Sequence, residues 1–320
     1  MSRKGLIDPE SREPLEQLLA AMPGGFNAIP DVVARRAALK SIFEGVEAPE
    51  FPDVLVEDHM VPGPDGAAEV RVRTYRPKSS PGNAPGIYYI HGGGMCLGDI
   101  DGEDVTASTL SSALGAVVVS VDYRLAPEHP HPAPVEDCYA GLAWMAGQAG
   151  QLGIDPGRLV VYGGSAGGGL TIATALLARD RGGPPIAFMM PIYPMIDDRN
   201  ETPSSHEIVD VGVWDRDGNI EAWQWYLGGS PADQYAAPAR AEDLTALPPA
   251  YIDVGTVDLF RDEAVDFAQR LMAAGVPCEL HVNPGAFHAS EIFAPDAALS
   301  QRIRATRLAA LRRALGISSS

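Results

Sequence analysis

The sequence predicts an α/β fold: a mostly parallel central sheet covered by helices on both faces, carrying a small helical cap. Three observations predict it. Short, continuously apolar runs recur along most of the chain, helix-forming stretches alternate with them, and a long interruption falls between two of the later runs. Runs that are apolar at every position suit strands buried on both faces, and parallel neighbours need crossovers of a dozen or more residues, which helices supply.

Taken in order, residues 12–21 and 31–44 have helix-forming composition and are separated by the breaker cluster Met22-Pro23-Gly24-Gly25-Phe26, so two short helices precede the main domain. Val54-Leu55-Val56 and the alternating Glu69-Val70-Arg71-Val72-Arg73-Thr74-Tyr75 read as a hairpin about a Pro/Gly turn at 62–66. Strands follow at 87–90, 117–119, 159–162, 186–190, 251–254 and 279–282, with helices over 134–149, 166–180 and 262–274. Residues 300–315 form a covering helix with one apolar face. Roughly sixty residues separate the strand near 190 from the strand near 251, far more than a crossover requires. Within that gap, 197–240 holds three of the four tryptophans, Trp214, Trp223 and Trp225, and a helical stretch at 216–227. The predicted division is therefore N-terminal cap helices at 1–50, a main domain at 51–196 and 241–320, and a cap insertion at 197–240. A polar tail, Ser318-Ser319-Ser320, ends the chain.

Composition narrows the class of function. Apolar residues are 46% of the chain and charged residues 21%, as in ordinary soluble globular proteins. A formal net charge of -18 would repel a phosphate backbone, which argues against a nucleic-acid partner. Cys96, Cys138 and Cys278 are odd in number and lack C-x-x-C spacing, so neither a disulfide framework nor a metal site is expected. The N-terminus lacks the apolar stretch of a signal peptide and no run of 18 apolar residues occurs, from which a cytoplasmic protein without a membrane span is expected.

The chemistry is carried by a few loops. Gly163-Gly164-Ser165-Ala166-Gly167 matches G-x-S-x-G between a strand and a helix, the setting of a nucleophile elbow. A serine hydroxyl needs a base to take its proton and a carboxylate to orient that base. In the order Ser, acid, His, the histidines after Ser165 are His206, His281 and His288. His206 falls in the cap and His281 in a strand, whereas His288 follows the strand 279–282 and the loop Asn283-Pro284-Gly285-Ala286-Phe287, at the carboxyl end of the sheet where ligand loops gather. Asp258, in the loop after the strand 251–254, is the matching acid. Asp253 lies inside that strand, and Asp262 and Glu263 open a helix whose macrodipole they complement. His91-Gly92-Gly93-Gly94 follows the strand 87–90, and its glycines can present backbone N–H groups to an oxyanion; Gly93, Gly94 and Ala166 are the candidate donors. Cys96 reads either as a reactive thiol or as a small buried hydrophobe. Trp214, Phe26 and Met22 either line an acyl pocket or pack the cap.

Together these motifs resemble the hormone-sensitive lipase family, the bacterial family IV esterases of the α/β-hydrolase superfamily. The likeness runs through His91-Gly92-Gly93-Gly94, Asp122-Tyr123-Arg124-Leu125-Ala126-Pro127-Glu128-His129-Pro130, the elbow, Leu247-Pro248-Pro249, Asp258-Leu259-Phe260-Arg261-Asp262-Glu263 and His288, over residues 50–315. It implies a serine carboxylester hydrolase acting on short- to medium-chain acyl esters, without a cofactor, a small-molecule ester as its partner, a cap, and a possible homodimer through a sheet edge. Tyr123-Arg124 and Glu128 look like the family's structural segment beside the oxyanion loop. Two positions depart from the pattern: Gly164 stands where many members carry Asp, Thr or Glu, and Leu259 where proline often follows the acid. Two other readings use the same scaffold: a non-catalytic small-molecule receptor, against which the presence of His288 speaks, and an amidase or antibiotic-ester hydrolase with the same triad.

Overall fold

The computed structural model describes residues 2–43, 49–66, 68–79 and 82–317. Two helices come first, α1 (Pro9–Ala21) and α2 (Val32–Phe43). α1 begins where Asp8 accepts a hydrogen bond from the Glu10 N–H and Pro9 takes the first helical position, at which a missing N–H costs no bond. The hairpin follows as β1 (Val54–Val61) and β2 (Val70–Pro77), in register from Val54 opposite Pro77 to Val61 opposite Val70. The remainder is β3 (Ala84–Ile90), α3 (Asp104–Leu114), β4 (Val117–Asp122), α4 (Ala133–Gly147), α5 (Ala149–Leu152), β5 (Ile154–Gly164), α6 (Ala166–Asp180), β6 (Phe188–Ile192), α7 (Pro203–Glu207), α8 (Arg216–Leu227), β7 (Ala250–Val257), α9 (Arg261–Ala273), β8 (Cys278–Phe287), α10 (Ser290–Phe293) and α11 (Ala298–Ala314).

Among the described residues the strands form one sheet in the order β1-β2-β4-β3-β5-β6-β7-β8. β1, β2 and β4 pair antiparallel, and every pairing from β4-β3 to β7-β8 is parallel. β3 is buried at every position because helices cover both faces. Its side chains divide by the two-residue period of a strand: Tyr88 and Ile90 join Val119, Val121 and Val161 in one core, while Ile87 and Tyr89 join Val118, Val160 and Tyr162 in the other. This is the mostly parallel sheet, covered by helices on both faces, that the sequence predicts. No helix among the described residues is long and apolar enough to cross a membrane.

The segment between β6 and β7 makes ion pairs with the N-terminal region. Arg3 meets Glu207 at 2.6 Å and Arg35 meets Glu221 at 2.6 Å, with the Arg35 guanidinium 5.1 Å from the Trp225 ring centroid. Several elements differ from the sequence reading. β5 starts at Ile154, before the apolar run, and β8 continues through Asn283-Pro284-Gly285 to Phe287. It does so because a register shift beyond the Gly255–Asn283 pair lets Val257 pair with Phe287. The helix predicted to 44 is described only to Phe43, and Ser318-Ser319-Ser320 lie outside the described residues.

Candidate active site

Parallel strands deliver their loops to one end of the sheet, and the predicted residues meet there. β5 ends at Gly164 and α6 starts at Ala166, so Ser165 alone makes the reversal, with φ 58° and ψ −122°. A side chain in that region is strained by about 1–3 kcal/mol and persists only when its surroundings hold it. Here Ser165 N–H donates to the Ile192 carbonyl at 2.9 Å, and the Ser165 carbonyl accepts from Met195 and Gly169 at 3.0 Å each. The flanking glycines are required sterically: a Cβ on Gly163 or Gly167 would strike the Ile90 carbonyl.

Ser165 Oγ lies 2.9 Å from His288 Nε2, and His288 Nδ1 lies 2.9 Å from Asp258 Oδ2. The other Asp258 oxygen, Oδ1, accepts the Phe260 N–H at 2.9 Å. All three residues are buried, Asp258 completely and Ser165 9% exposed. With the neutral tautomer protonated on Nδ1, the imidazole donates to the carboxylate and offers its Nε2 lone pair to the serine hydroxyl. The pairing therefore links the end of β5, the loop after β7 and the residue after β8, through partners 123 and 30 residues apart.

The glycine loop after β3 packs directly on the elbow. A Cβ on Gly92 would lie 3.0 Å from the Gly164 carbonyl and 3.4 Å from Ser165 Cβ. Gly93 and Gly94 have φ of 107° and 62°, and among the described residues neither N–H donates to a backbone carbonyl. His91 Nδ1 lies 2.8 Å from the Gly92 carbonyl. Donating there turns the Gly93 N–H, on the opposite side of the same planar peptide, away from His91. Burial pushes His91 down to about 4, so the ring is neutral, and it stacks on Tyr123 with centroids 4.1 Å apart. Tyr123 Oη in turn donates to the His91 carbonyl at 3.0 Å.

The other residues singled out in the sequence have structural partners. Arg124 holds buried Asp137 through bonds of 2.7 and 2.8 Å, and Glu128 pairs with Arg36. Asp253 is bound by Arg307, well inside β7. Asp262 accepts from Ser204 N–H at 2.7 Å and Glu263 from Ile196 N–H at 2.8 Å, so both tie α9 to the chain after β6. Cys96 is buried and burial pushes its thiol up to about 12, the behaviour of a small hydrophobe rather than a nucleophile. The Trp214 ring lies beside Gly94, since a Cβ there would run into it, whereas Phe26 is buried and Met22 half-buried. Sequence reasoning missed two rings that flank the imidazole: Tyr193, with centroids 4.8 Å apart, and Phe260, 5.1 Å apart, both edge-on. Phe260 stands two residues past the acid and was within reach of the motif; Tyr193 follows β6, where nothing in the sequence marks it.

Comparisons with known proteins give the family of the chain. A family model described as alpha/beta hydrolase fold matches residues 87–292. The carboxylesterase NlhH of Mycobacterium tuberculosis is 38% identical over 321 residues, covering 98% of this chain and 99% of that protein. The esterase LipI of the same species is 39% identical, covering 87% of this chain and 86% of LipI. Among solved structures, a bacterial heroin esterase superposes with a TM-score of 0.92 at 40% identity, over 98% of this chain and 99% of that one.

Proposed function

The chain belongs to the hormone-sensitive lipase family of α/β-hydrolases and is a carboxylester hydrolase, and from that premise we propose that it works through an acyl-enzyme on Ser165. His288, oriented by Asp258, takes the proton of Ser165 as Oγ attacks the ester carbonyl, then gives it to the departing alcohol. Water repeats the sequence to release the acid. The negative charge that develops on the carbonyl oxygen is met by the N–H groups of Gly93, Gly94 and Ala166, each such donor being worth about 2.7–4 kcal/mol in the transition state. Ala166 opens α6, so its N–H belongs to the unsatisfied first turn and adds the positive end of the helix macrodipole. Asp258 stays where it can stabilise the imidazolium, its carboxylate fixed by the Phe260 N–H.

The observation that carries this reading is the unbroken run of contacts from Ser165 Oγ through His288 to Asp258, each 2.9 Å long. The substrates are short- to medium-chain acyl esters, and residues 1–50 with 197–240 form the cap over them. Support for a small acyl group comes from the Trp214 ring resting on Gly94 and from an acetyl-hydrolase of Streptomyces hygroscopicus that is 33% identical over 232 residues.

Ser165→Ala tests the assignment. Turnover of p-nitrophenyl acetate should fall by about 10⁴-fold or more, with loss of covalent labelling by a fluorophosphonate. Full activity in the purified variant would overturn it, and an unlabelled wild-type serine would instead favour a binding protein.

A further inference from the structure

We propose that Tyr193 is a positioning residue that holds the His288 imidazole toward Ser165, and that it is held in turn by a buried network of Glu291, Arg307 and Asp253. This rests on the reading of His288 as the base. Tyr193 directly follows β6, the strand whose last carbonyl anchors the Ser165 N–H. Its φ of 30° is unusual for an aromatic residue, and its own N–H donates to the Asp253 carbonyl at 2.7 Å. That conformation lays the ring over the elbow, where a Cβ on Gly164 would lie only 3.2 Å from Tyr193 Cε2. The glycine beside the nucleophile thus leaves room for a ring that packs edge-on against the imidazole, which Phe260 also meets edge-on.

Behind the ring lies a chain of charged contacts. Tyr193 Oη donates to Glu291 Oε1 at 2.6 Å, and Arg307 Nη1 donates to the same oxygen at 2.5 Å. Arg307 grips Asp253 through two bonds of 2.7 and 2.9 Å, and Tyr251 Oη adds a third donor to Asp253 at 3.1 Å. The Arg307 guanidinium also sits 5.2 Å from the Tyr193 ring centroid. The side chains of Arg307, Glu291 and Asp253 are 9%, 7% and 1% exposed.

Placement makes this more than a buried ion pair. Glu291 is three residues past His288, and Asp253 is five before Asp258 on the same strand and loop, so one guanidinium on α11 ties together the segments that carry base and acid. Buried ion pairs add little stability over well-packed apolar groups, so the network is better explained by the orientation it imposes. The charge-assisted bond to Glu291 sets the direction of the Tyr193 ring, and the ring sets the plane of the imidazole. A misplacement of about 1 Å at a reacting group can cost roughly a hundredfold in rate.

Tyr193→Phe keeps the ring and removes the hydroxyl. We expect kcat on p-nitrophenyl acetate to fall about tenfold with KM within about twofold, and the fluorophosphonate to react with Ser165 more slowly to a similar extent. Glu291→Gln should do the same, and the double variant should be no worse than either single one, since both break one link. As a spectroscopic check, the downfield proton NMR signal of the His288–Asp258 hydrogen bond should broaden in Tyr193→Phe, which a merely structural role would not cause. If Tyr193→Phe fails to fold, Glu291→Gln carries the kinetic and NMR tests alone. Retention of kcat within twofold, additive losses, or a loss confined to KM with a sharp downfield signal would overturn the inference. Should Ser165→Ala be inactive in the same series, the acyl-enzyme reading would survive that failure.

Discussion

On the proposed site, Trp214 is the side chain placed to select among esters. Its indole rests on Gly94, one of the proposed oxyanion donors, and its Nε1–H donates to Asn219 Oδ1 at 2.9 Å, which fixes the ring's angle. Asn219 is itself held by Asn200 Oδ1 at 2.5 Å. Trp214→Ala removes a ring that limits the space beside Gly94. The ratio of kcat/KM for p-nitrophenyl hexanoate to that for the acetate should rise about 10- to 100-fold, within the range that pocket size can discriminate. The residue is 7% exposed, so the variant should also lose about 3–5 kcal/mol of stability, seen as a lower melting temperature. An unchanged acyl preference would place the indole in the packing of the cap alone. At this scale the sequence was informative where chemistry forces a local pattern. Ser165 is legible because glycines must flank it, and His288 and Asp258 because they follow it in order at strand ends. Tyr193 was not legible, because what makes it matter is Glu291, 98 residues away, and Arg307 beyond it.

Elements show the same division between local signals and distant ones. α6 was readable to the residue since its breakers and apolar run coincide with its ends, whereas α3, with the sequence Asp104-Val105-Thr106-Ala107-Ser108-Thr109-Leu110-Ser111-Ser112-Ala113-Leu114, was missed. Its serines, threonines and valine have poor intrinsic helix propensity, and packing of Leu110 and Leu114 against the sheet stabilises it instead. The extension of β8 was hidden because proline and glycine signal a loop, and only the pairing with β7 overrides them. α2 bears on the site through Arg36, which reaches the Cys96 carbonyl at 2.8 Å, the Ala126 carbonyl at 2.9 Å and both Glu128 oxygens at 2.8 Å. The hydrogen bond from Arg36 pulls the Glu128 carboxyl down to about 2 from its usual 4.5. A carboxyl depressed in the folded state contributes stability above its unfolded value, and that contribution is lost as pH falls from 4.5 through about 2. Glu128 is half exposed, so screening keeps the pair to about 1 kcal/mol or less. Arg36→Met should therefore melt lower than wild type near pH 6, and the gap should narrow between pH 4.5 and 2 without closing, because the bonds to the two carbonyls do not titrate. A gap that stays constant with pH would show that Glu128 adds nothing.

For the whole molecule, the mostly parallel sheet covered by helices was legible in the alternation of strands and helices, and so was the net charge of -18, whereas the strand order, with β4 between β2 and β3, was not. What the charge does to catalysis is a question of distance. A field from many dispersed carboxylates acts on a substrate before it enters the site, and salt attenuates it over a Debye length of roughly 30 Å at 0.01 M and 8 Å at 0.15 M. The Ser165 machinery itself is enclosed, so its internal contacts feel added salt far less. The two effects separate in kcat/KM, which contains the encounter step even when chemistry is slow. An acyl ester with an anionic alcohol should gain about three- to tenfold in kcat/KM between those ionic strengths as repulsion is screened. A neutral ester of the same size should change by less than about 1.5-fold, and a choline ester should lose what the anion gains. The comparison of three esters in one salt series checks this, and equal slopes for all three would mean that the acidic surface is directed away from the mouth of the site and serves solubility alone.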